Sequence, residues 1–200
     1  MSTEKYGLGQ DPYCYAGSST LKNRLGLLDD ALLSQAERDL SSIAANEIDF
    51  SPPPYDLSTL QHIHRRLFAD LYDWAGELRS VDIAKGNTRF CNIHRMAPEA
   101  AKLFDRLRQA QWFETHERSE LVESVANLFG DLNVIHPFRE GNGRAQRILF
   151  EHIVINAGYG ISWWAVAPDE WVQANVDAVI CDYRALESIF ERCIGQGIGE

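Results

Sequence analysis

The sequence predicts a mainly α-helical protein that contains a single β-hairpin. Apolar residues recur at three- and four-residue steps along most of the 200-residue chain, the spacing that places side chains on one face of a helix. The period changes to two only in residues 79–91, around the turn residues Gly86 and Asn87. The length fits one domain and no internal repeat divides it, so we expect a single domain over residues 1–200.

Each element follows from the local pattern. Residues 1–25 are rich in Gly, Tyr, Pro and Ser, and they predict an extended arm that lies on the domain with its tyrosines as anchors. Three consecutive prolines separate the first two predicted helices, because proline cannot continue a helix. The Gly-rich residues 195–199 predict a tail. Helices are predicted over residues 27–48, 57–74, 100–112, 120–134, 143–156, 168–181 and 183–194. The apolar stripe of the first helix consists of Leu28, Leu32, Leu33, Leu40, Ile43 and Ala44.

Composition excludes several classes of protein. The net charge of −10 repels phosphate backbones, so we expect no direct nucleic-acid binding. The longest uncharged stretch, residues 153–168, contains Asn, Gly and Pro and is not a membrane span. Glu4 and Lys5 precede any apolar run, so no signal peptide is predicted. The four cysteines form no Cys-x-x-Cys pair and indicate reduced residues, which favours a cytoplasmic protein.

One segment between two predicted helices differs from everything around it. Residues 136–147 read His-Pro-Phe-Arg-Glu-Gly-Asn-Gly-Arg-Ala-Gln-Arg. Gly141 and Gly143 allow a tight bend, so that consecutive N–H groups at a helix N-terminus form a concavity for an anion. Arg144 and Arg147 lie three residues apart on the new helix and share a face that can grip phosphate oxygens.

Two further residues of this segment suit nucleotide chemistry. Glu140 is placed to hold a divalent cation between phosphates, and His136 carries a side chain that accepts a proton near neutral pH. The alternative is a polar junction in which the glycines form an ordinary turn and the arginines pair with acids such as Glu151. Arg139 lies outside the pattern and is predicted to be a surface charge. Among the other histidines, His62 and His64 point in different directions and are assigned no metal site.

Residues 136–147 match without a gap the signature His-x-Phe-x-(Asp/Glu)-Gly-Asn-Gly-Arg-x-x-Arg, and the chain thereby resembles the Fic-domain AMP-transferases. The hairpin at residues 79–91 resembles the flap of that family. Residues 11–13, 21–23 and 157–159 are similar to small bacterial members. The resemblance implies a Fic-type helical bundle with one β-hairpin flap.

The resemblance also implies roles for the motif. His136 would be the general base that deprotonates a hydroxyl of a target protein, which then attacks the α-phosphate of ATP. Glu140 would coordinate Mg²⁺ or Mn²⁺, and Phe138 would anchor the loop in the core. The phosphates would be held by the backbone and side chains of Gly141, Asn142, Gly143, Arg144 and Arg147.

Outside the motif, the predictions concern the target and the adenine. An exposed hairpin edge can bind an extended target segment by main-chain hydrogen bonds, and residues 81–90 are the candidates; the alternative is a hairpin that only covers the core. Lys85 and Gly86 are placed near the nucleotide. Asn175, with Tyr159 and Trp171, is assigned to the adenine side, although a Trp at helical spacing is more often a core residue.

Rival functions remain at this stage. A kinase-like branch of the fold carries Lys where Gly143 stands here, and members that transfer another nucleotide or phosphocholine exist. A catalytically dead partner-binding module is the alternative from another class, but His136 and both arginines argue against it. The inhibitory pattern Ser/Thr-x-x-x-Glu-Gly/Asn does not occur in the 200 residues. The resemblance therefore favours a toxin restrained by a separate small antitoxin protein that supplies the helix, with DNA gyrase, a type II topoisomerase, as a candidate target.

Overall fold

The computed structural model describes residues 11–198, and within them the chain forms seven α-helices and two small antiparallel sheets. The helices are α1 (Asp30–Ala45), α2 (Leu57–Phe68), α3 (Ile93–Gln109), α4 (Arg118–Ile135), α5 (Asn142–Asn156), α6 (Pro168–Ala178) and α7 (Arg184–Cys193). The strands are β1 (Ala84–Lys85), β2 (Thr88–Arg89), β3 (Tyr159–Ile161) and β4 (Ile194–Gly197). The predicted fold class, a helical bundle with a hairpin flap, is confirmed.

Helices α4 and α5 form the centre of the bundle. Helix α4 packs against α3, α5, α6 and α7, and α2 lies between α1 and α5. Both central helices bury apolar side chains on most of their surface, as expected of helices without a free face. The loop between them, residues 136–141, is consequently held inside the domain.

The start of α3 and the predicted Gly-rich tail differ from the structure. Helix α3 begins at Ile93, capped by Asn92, and continues through Pro98, where the prediction placed the start later. The predicted tail is wrong, because Ile194–Gly197 pairs with β3 in an antiparallel sheet. Arg118 stabilises this chain end by donating hydrogen bonds to the carbonyls of Ile194 and Gly195. Pairing with a strand that is distant in the sequence produces no periodic pattern in a Gly-rich segment, so the sequence did not predict this strand.

The buried face of α1 also differs from the predicted stripe. Leu33 is buried, but Leu28, Leu32 and Ile43 are exposed. The face turned towards α2 and α5 carries polar residues, among them Glu37. The reason is the ion pair that Glu37 forms with Arg144 of α5.

Residues 11–25, the described part of the predicted arm, contact the helical domain. Tyr13 contacts the Trp74 ring edge-on at 5.5 Å and shares a hydrogen bond of 3.2 Å with Ser80. The backbone bridge between Cys14 and Leu21 turns the arm back on itself. The predicted anchor Tyr6 lies outside the described residues. All four cysteines are free. In residues 11–198, no helix has both the length and the apolar character needed to cross a membrane.

Candidate active site

The catalytic loop, residues 136–141, begins and ends with residues in the left-handed backbone region. His136 terminates α4 with φ 48° and ψ 63°, and Gly141 precedes the first residue of α5 with φ 77°. The two conformations reverse the chain direction within a few residues. A non-glycine residue adopts this region only at a cost in free energy, so the surroundings of His136 must hold it there.

The His136 imidazole is held in one tautomer. Nδ1 lies 3.1 Å from the carbonyl oxygen of Asn133, and because a carbonyl only accepts, Nδ1 must donate and Nε2 keeps its lone pair. The ring stacks on Phe90 of the flap, with centroids 3.8 Å apart and an interplanar angle of 16°. Burial lowers the pKa of His136 to about 4, so the imidazole is neutral at pH 7. Nε2 is therefore available as a base.

The N-terminus of α5 is built to receive an anion. Within residues 11–198 no side chain caps it, and the first N–H groups of a helix have no acceptor within the helix. A Cβ on Gly141 would lie 2.4 Å from the Phe68 ring, so only glycine fits there. The Asn142 side chain exchanges two 2.8 Å hydrogen bonds with the backbone of Phe138. These contacts give the Asn142 amide a structural role, which leaves its backbone N–H for the anion.

Glu140 is a single carboxylate at the same helix end. One of its oxygens accepts a hydrogen bond of 3.2 Å from the backbone N–H of Gly141. Across residues 11–198, no group of three His, Cys, Asp or Glu side chains is arranged to hold a metal ion. Glu140 offers one carboxylate at this helix end, a type of ligand that divalent cations bind.

The two motif arginines line one cavity but differ in their partners. Arg144 forms an ion pair with Glu37 of α1, donates to Ser41 Oγ at 3.0 Å and lies over the Phe68 ring at 4.7 Å. Arg147 donates from Nε to the carbonyl of Gly143 at 3.3 Å. Burial and the charge of Arg144 lower the pKa of Arg147. Both line a cavity of about 280 Å³ between α1 and α5, so the predicted shared face is present.

His64, which the sequence analysis assigned no role, supports the loop from behind. Its Nδ1 accepts a hydrogen bond of 2.9 Å from the backbone N–H of Gly76. Nε2 therefore carries the proton and donates to the carbonyl of Glu140 at 2.9 Å. The ring stacks on Phe138 with centroids 3.9 Å apart. Its position on the apolar stripe of α2, four residues after Leu60, was the signal that it is buried.

The prediction that Arg139 is a surface charge is wrong. Its side chain is 1% exposed and pairs with Asp11 at 2.7 Å. The pair ties the arm to the catalytic loop across more than 120 residues of sequence. A contact this distant in sequence cannot be inferred from local spacing.

The flap and the adenine-side residues lie around this centre. Lys85 and Gly86 are exposed on the hairpin, and the charge of Lys85 contributes to the lowered pKa of His136, as does that of Arg79. On α6, Asn175 Oδ1 is buried without a hydrogen-bond partner in the described part of the chain. The other two residues assigned to the adenine side make contacts within the protein. Trp171 packs on Phe129, and the Tyr159 hydroxyl donates to the carbonyl of His116.

Comparison with known proteins agrees with this geometry. Residues 54–154 match the model of the Fic/DOC family. The chain belongs to that family. It is 39% identical to "Probable protein adenylyltransferase Fic" of Salmonella typhimurium over 97% of each chain.

Two further Fic proteins are similar over most of this chain. "Protein adenylyltransferase VbhT" of Bartonella schoenbuchensis is 30% identical over 94% of this chain and 40% of its own length. Among solved structures, the BepC protein of Bartonella tribocorum with bound AMPPNP superimposes with a TM-score of 0.85 at 26% identity, over 92% of this chain and 96% of that one. The Fic fold of the relatives thus extends over nearly the whole chain.

Proposed function

We infer that this chain is a protein adenylyltransferase that transfers AMP from ATP to a hydroxyl side chain of a target protein. The observation that carries the inference is a neutral histidine, with Nε2 available, beside an uncapped helix N-terminus. A base next to an anion site is what the attack of a hydroxyl on a phosphate requires. The relatives named above are called adenylyltransferases, and one related structure holds an ATP analogue.

The proposed reaction exchanges one bond at phosphorus for another. Nε2 of His136 takes the proton of the target hydroxyl as its oxygen attacks the α-phosphorus. The bond between that phosphorus and the oxygen that bridges to the β-phosphate breaks, and pyrophosphate leaves. The protein supplies position and charge compensation, as in other phosphoryl-transfer sites.

The residues around the loop hold the nucleotide in this proposal. The N–H groups of the Gly141–Gly143 turn bind the phosphates, and Arg147 binds the far end of the triphosphate. Burial and the charge of Arg144 disfavour the charged form of Arg147 more than Glu151 favours it, and a phosphate would supply further counter-charge. Arg144 reaches the same cavity but shares its charge with Glu37. The unpartnered Oδ1 of Asn175 accepts from the adenine amine, and Lys85 and Gly86 lie over the nucleotide from the flap.

Glu140 fits a magnesium ion that is shared with the substrate. Mg²⁺ is commonly bound by one or two carboxylates together with phosphate oxygens and water, and one carboxylate lies at the phosphate end of the loop. When bound, the ion would neutralise charge on the phosphates. The task of Glu140 is then to hold its carboxylate at the N-terminus of α5.

Labelling with two forms of ATP tests the proposal. Purified protein is incubated with a bacterial lysate, Mg²⁺ and ATP labelled at either the α- or the γ-phosphate. We expect protein bands labelled only from the α-position, and no bands when EDTA removes the metal. Transfer of the γ-label would place the chain with the kinase-like branch, and no transfer from either would leave the partner-binding alternative.

We further propose that the chain is a toxin controlled by a separate small antitoxin protein. No Glu-Gly or Glu-Asn pair follows a Ser or Thr at the inhibitory spacing, and Glu37 pairs with Arg144 rather than with Arg147. A glutamate from a partner's helix would compete with phosphate for the Arg147 guanidinium. Type II topoisomerases such as DNA gyrase are the candidate targets, in the cytoplasm.

Co-expression tests this regulatory proposal. The chain expressed alone should arrest bacterial growth, and a small neighbouring reading frame should relieve the arrest. Binding of the neighbour to an Arg147→Lys variant, measured with the purified proteins, shows whether the interaction depends on the guanidinium. If no neighbour binds the chain, and truncation of its own ends raises its activity, the inhibitor is internal and the proposal fails.

A further inference from the structure

Arg79 joins the flap to the end of α4 through a guanidinium that is completely buried. Its side chain is 0% exposed. Nε donates to the carbonyl of His136 at 2.8 Å, and Nη2 donates to the carbonyl of Ile135 at 3.3 Å. Towards the flap, Nη1 donates to the carbonyl of Val81 at 2.6 Å and Nη2 also donates to that of Cys91. One side chain thus holds the last turn of α4 and both limbs of the hairpin.

The backbone of Arg79 completes this hold on the catalytic loop. Its N–H donates to the carbonyl of Pro137 at 2.9 Å, so the carbonyls of residues 135, 136 and 137 all accept from the same residue. His136 lies in the left-handed region in the middle of this set. Burying a guanidinium costs free energy unless its donors are used. The Arg79 donors bond to the carbonyls of Ile135 and His136, and these peptide units determine the orientation of the His136 imidazole.

The returning limb of the flap reaches the imidazole itself. The Cys91 N–H donates to the carbonyl of Val134 at 2.9 Å, and Phe90, one residue earlier, stacks on His136. The position of this limb therefore sets the position of Phe90 over the ring. The Arg79 contact with the Cys91 carbonyl fixes the same limb.

We propose that Arg79 is a positioning residue that sets the His136 base in register with the flap on which the target segment binds. The proposal rests on the AMP-transfer function given above. It adds the residue that aligns the His136 base with the target segment on the flap. Arg79 holds His136 through hydrogen bonds to the backbone of α4 and of the flap, and its substitution by Lys keeps the charge that acts on the imidazole. A displacement of about 1 Å between reacting groups costs about 100-fold in rate, so loss of this alignment should lower the turnover and leave nucleotide binding unchanged.

Arg79→Lys tests the proposal, with Arg118→Lys as a matched control. Lysine keeps the positive charge but cannot reach carbonyls on both sides. Arg118 also donates to backbone carbonyls, of Glu191 and Ile194, and it does so at the N-terminal end of α4. Three quantities are measured on the full chain: the melting temperature, the rate of α-labelled AMP transfer to lysate proteins as a function of ATP, and the NMR signals of the His136 imidazole.

The expected results separate positioning from general stability. Arg79→Lys should lower the rate at saturating ATP by about 10- to 100-fold, with the half-saturating ATP concentration changed by less than about twofold. The stacked His136 ring protons should shift as Phe90 moves. Arg118→Lys should lower the melting temperature and leave both the rate and these signals unchanged. A wild-type rate in Arg79→Lys, or equal losses of rate in both variants, would overturn the proposal.

The proposal can still be tested if the wild-type protein transfers no AMP or if Arg79→Lys does not fold. If wild-type protein transfers no AMP, the proposed function fails, and the NMR signals alone decide the positioning proposal: unchanged His136 signals in Arg79→Lys overturn it. If Arg79→Lys does not fold, Asp82→Asn replaces it. This change removes the 3.8 Å ion pair with Arg79 and also the 3.7 Å ion pair with the exposed Arg89, so Arg89→Gln, which removes the second pair alone, is its control. We expect a loss of rate of a few fold and a shift of the same signals; neither change in Asp82→Asn would overturn the proposal.

Discussion

The catalytic loop and the flap are neighbours with opposite construction. Each bend of the loop is fixed by buried contacts from elsewhere in the chain, including His64 behind Glu140 and the Arg139 pair with the arm. The flap has strands of two residues each, and its turn at Gly86 and Asn87 is exposed. It is held mainly at its base, through Arg79 and Phe90.

This difference separates chemistry from recognition. A preorganised loop places charge and base without reorganisation during the reaction. A short hairpin that offers main-chain groups can bind extended segments of varied sequence. We therefore expect substitutions in the loop to cost far more activity than side-chain substitutions at the tip of the flap.

Removal of the base should have the largest effect. His136→Ala should lower AMP transfer by about 100- to 10,000-fold, because general-base catalysis contributes this much. ATP affinity should change little, since the imidazole acts on the attacking hydroxyl. Transfer from α-labelled ATP and ATP binding by calorimetry measure the two quantities. His94→Ala, at an exposed position on α3, is the control, and near wild-type transfer by His136→Ala would remove this residue from the mechanism.

A methyl group at the bend of the loop should come next. In Gly141→Ala, the new Cβ meets the buried Phe68 ring at 2.4 Å with a backbone φ of 77°. We expect a loss of about 2 to 4 kcal/mol in unfolding free energy and a loss of about 100-fold in AMP transfer. In Gly143→Ala the added Cβ has no atom within 4 Å, so this control should keep its stability and weaken ATP binding alone. Equal stability of the two variants would show that the loop tolerates the methyl group.

Loosening the support behind the loop should cost less. His64→Gln keeps a donor for the Glu140 carbonyl and leaves the Gly76 N–H without its acceptor. Supporting residues of this kind typically change activity by about 10- to 100-fold, and because one of the two bonds is retained we expect about tenfold. His62→Gln, on the outer side of the same helix, is the control. A wild-type rate in His64→Gln would show that the loop keeps its conformation without the His64 contacts.

The same substitution should alter the dependence of stability on pH. Burial lowers the pKa values of both His64 and His136 to about 4. Between about pH 6.5 and pH 4 the unfolded chain binds more protons than the folded one, so the unfolding free energy falls as the pH falls. Each histidine contributes up to about 1.4 kcal/mol per pH unit to this slope. Urea unfolding at several pH values should show a smaller slope in His64→Gln, and an unchanged slope would mean that His64 is protonated in the folded protein.

The sequence predicted what depends on local spacing. Helical periodicity located α2, α4 and α5, and the motif located the loop between the last two, because these signals lie within a few residues of each other. It did not predict the buried polar partners. Arg139 pairs with Asp11, and Arg144 pairs with Glu37, although the members of each pair are far apart in the sequence. Such pairs leave no periodic pattern in the sequence, and the pair of Glu37 with Arg144 lies on the side of α1 that is buried.

The flap also differs from its prediction, because contacts that are distant in sequence act on its first residues. The alternating residues 79–83 predicted a strand, but the observed strand begins at Ala84. The segment that was expected to pair across the hairpin begins instead with Arg79, which bonds to the catalytic loop. Local alternation predicted the hairpin, and tertiary bonds shortened it.

The smallest effect should come from the tip of the flap. Lys85 is exposed and reaches the site only through its charge, which contributes to the lowered pKa of His136. Lys85→Ala should lower AMP transfer by about two- to threefold at low salt and by less at high salt, because exposed charges are screened. Asn87→Ala, at the exposed turn, should change nothing. Initial rates of transfer to the same lysate proteins, measured at two salt concentrations, give both numbers. A loss in Lys85→Ala as large as that in Gly141→Ala would mean that flap side chains take part in the chemistry, and the division between a fixed loop and an adaptable flap would then be wrong.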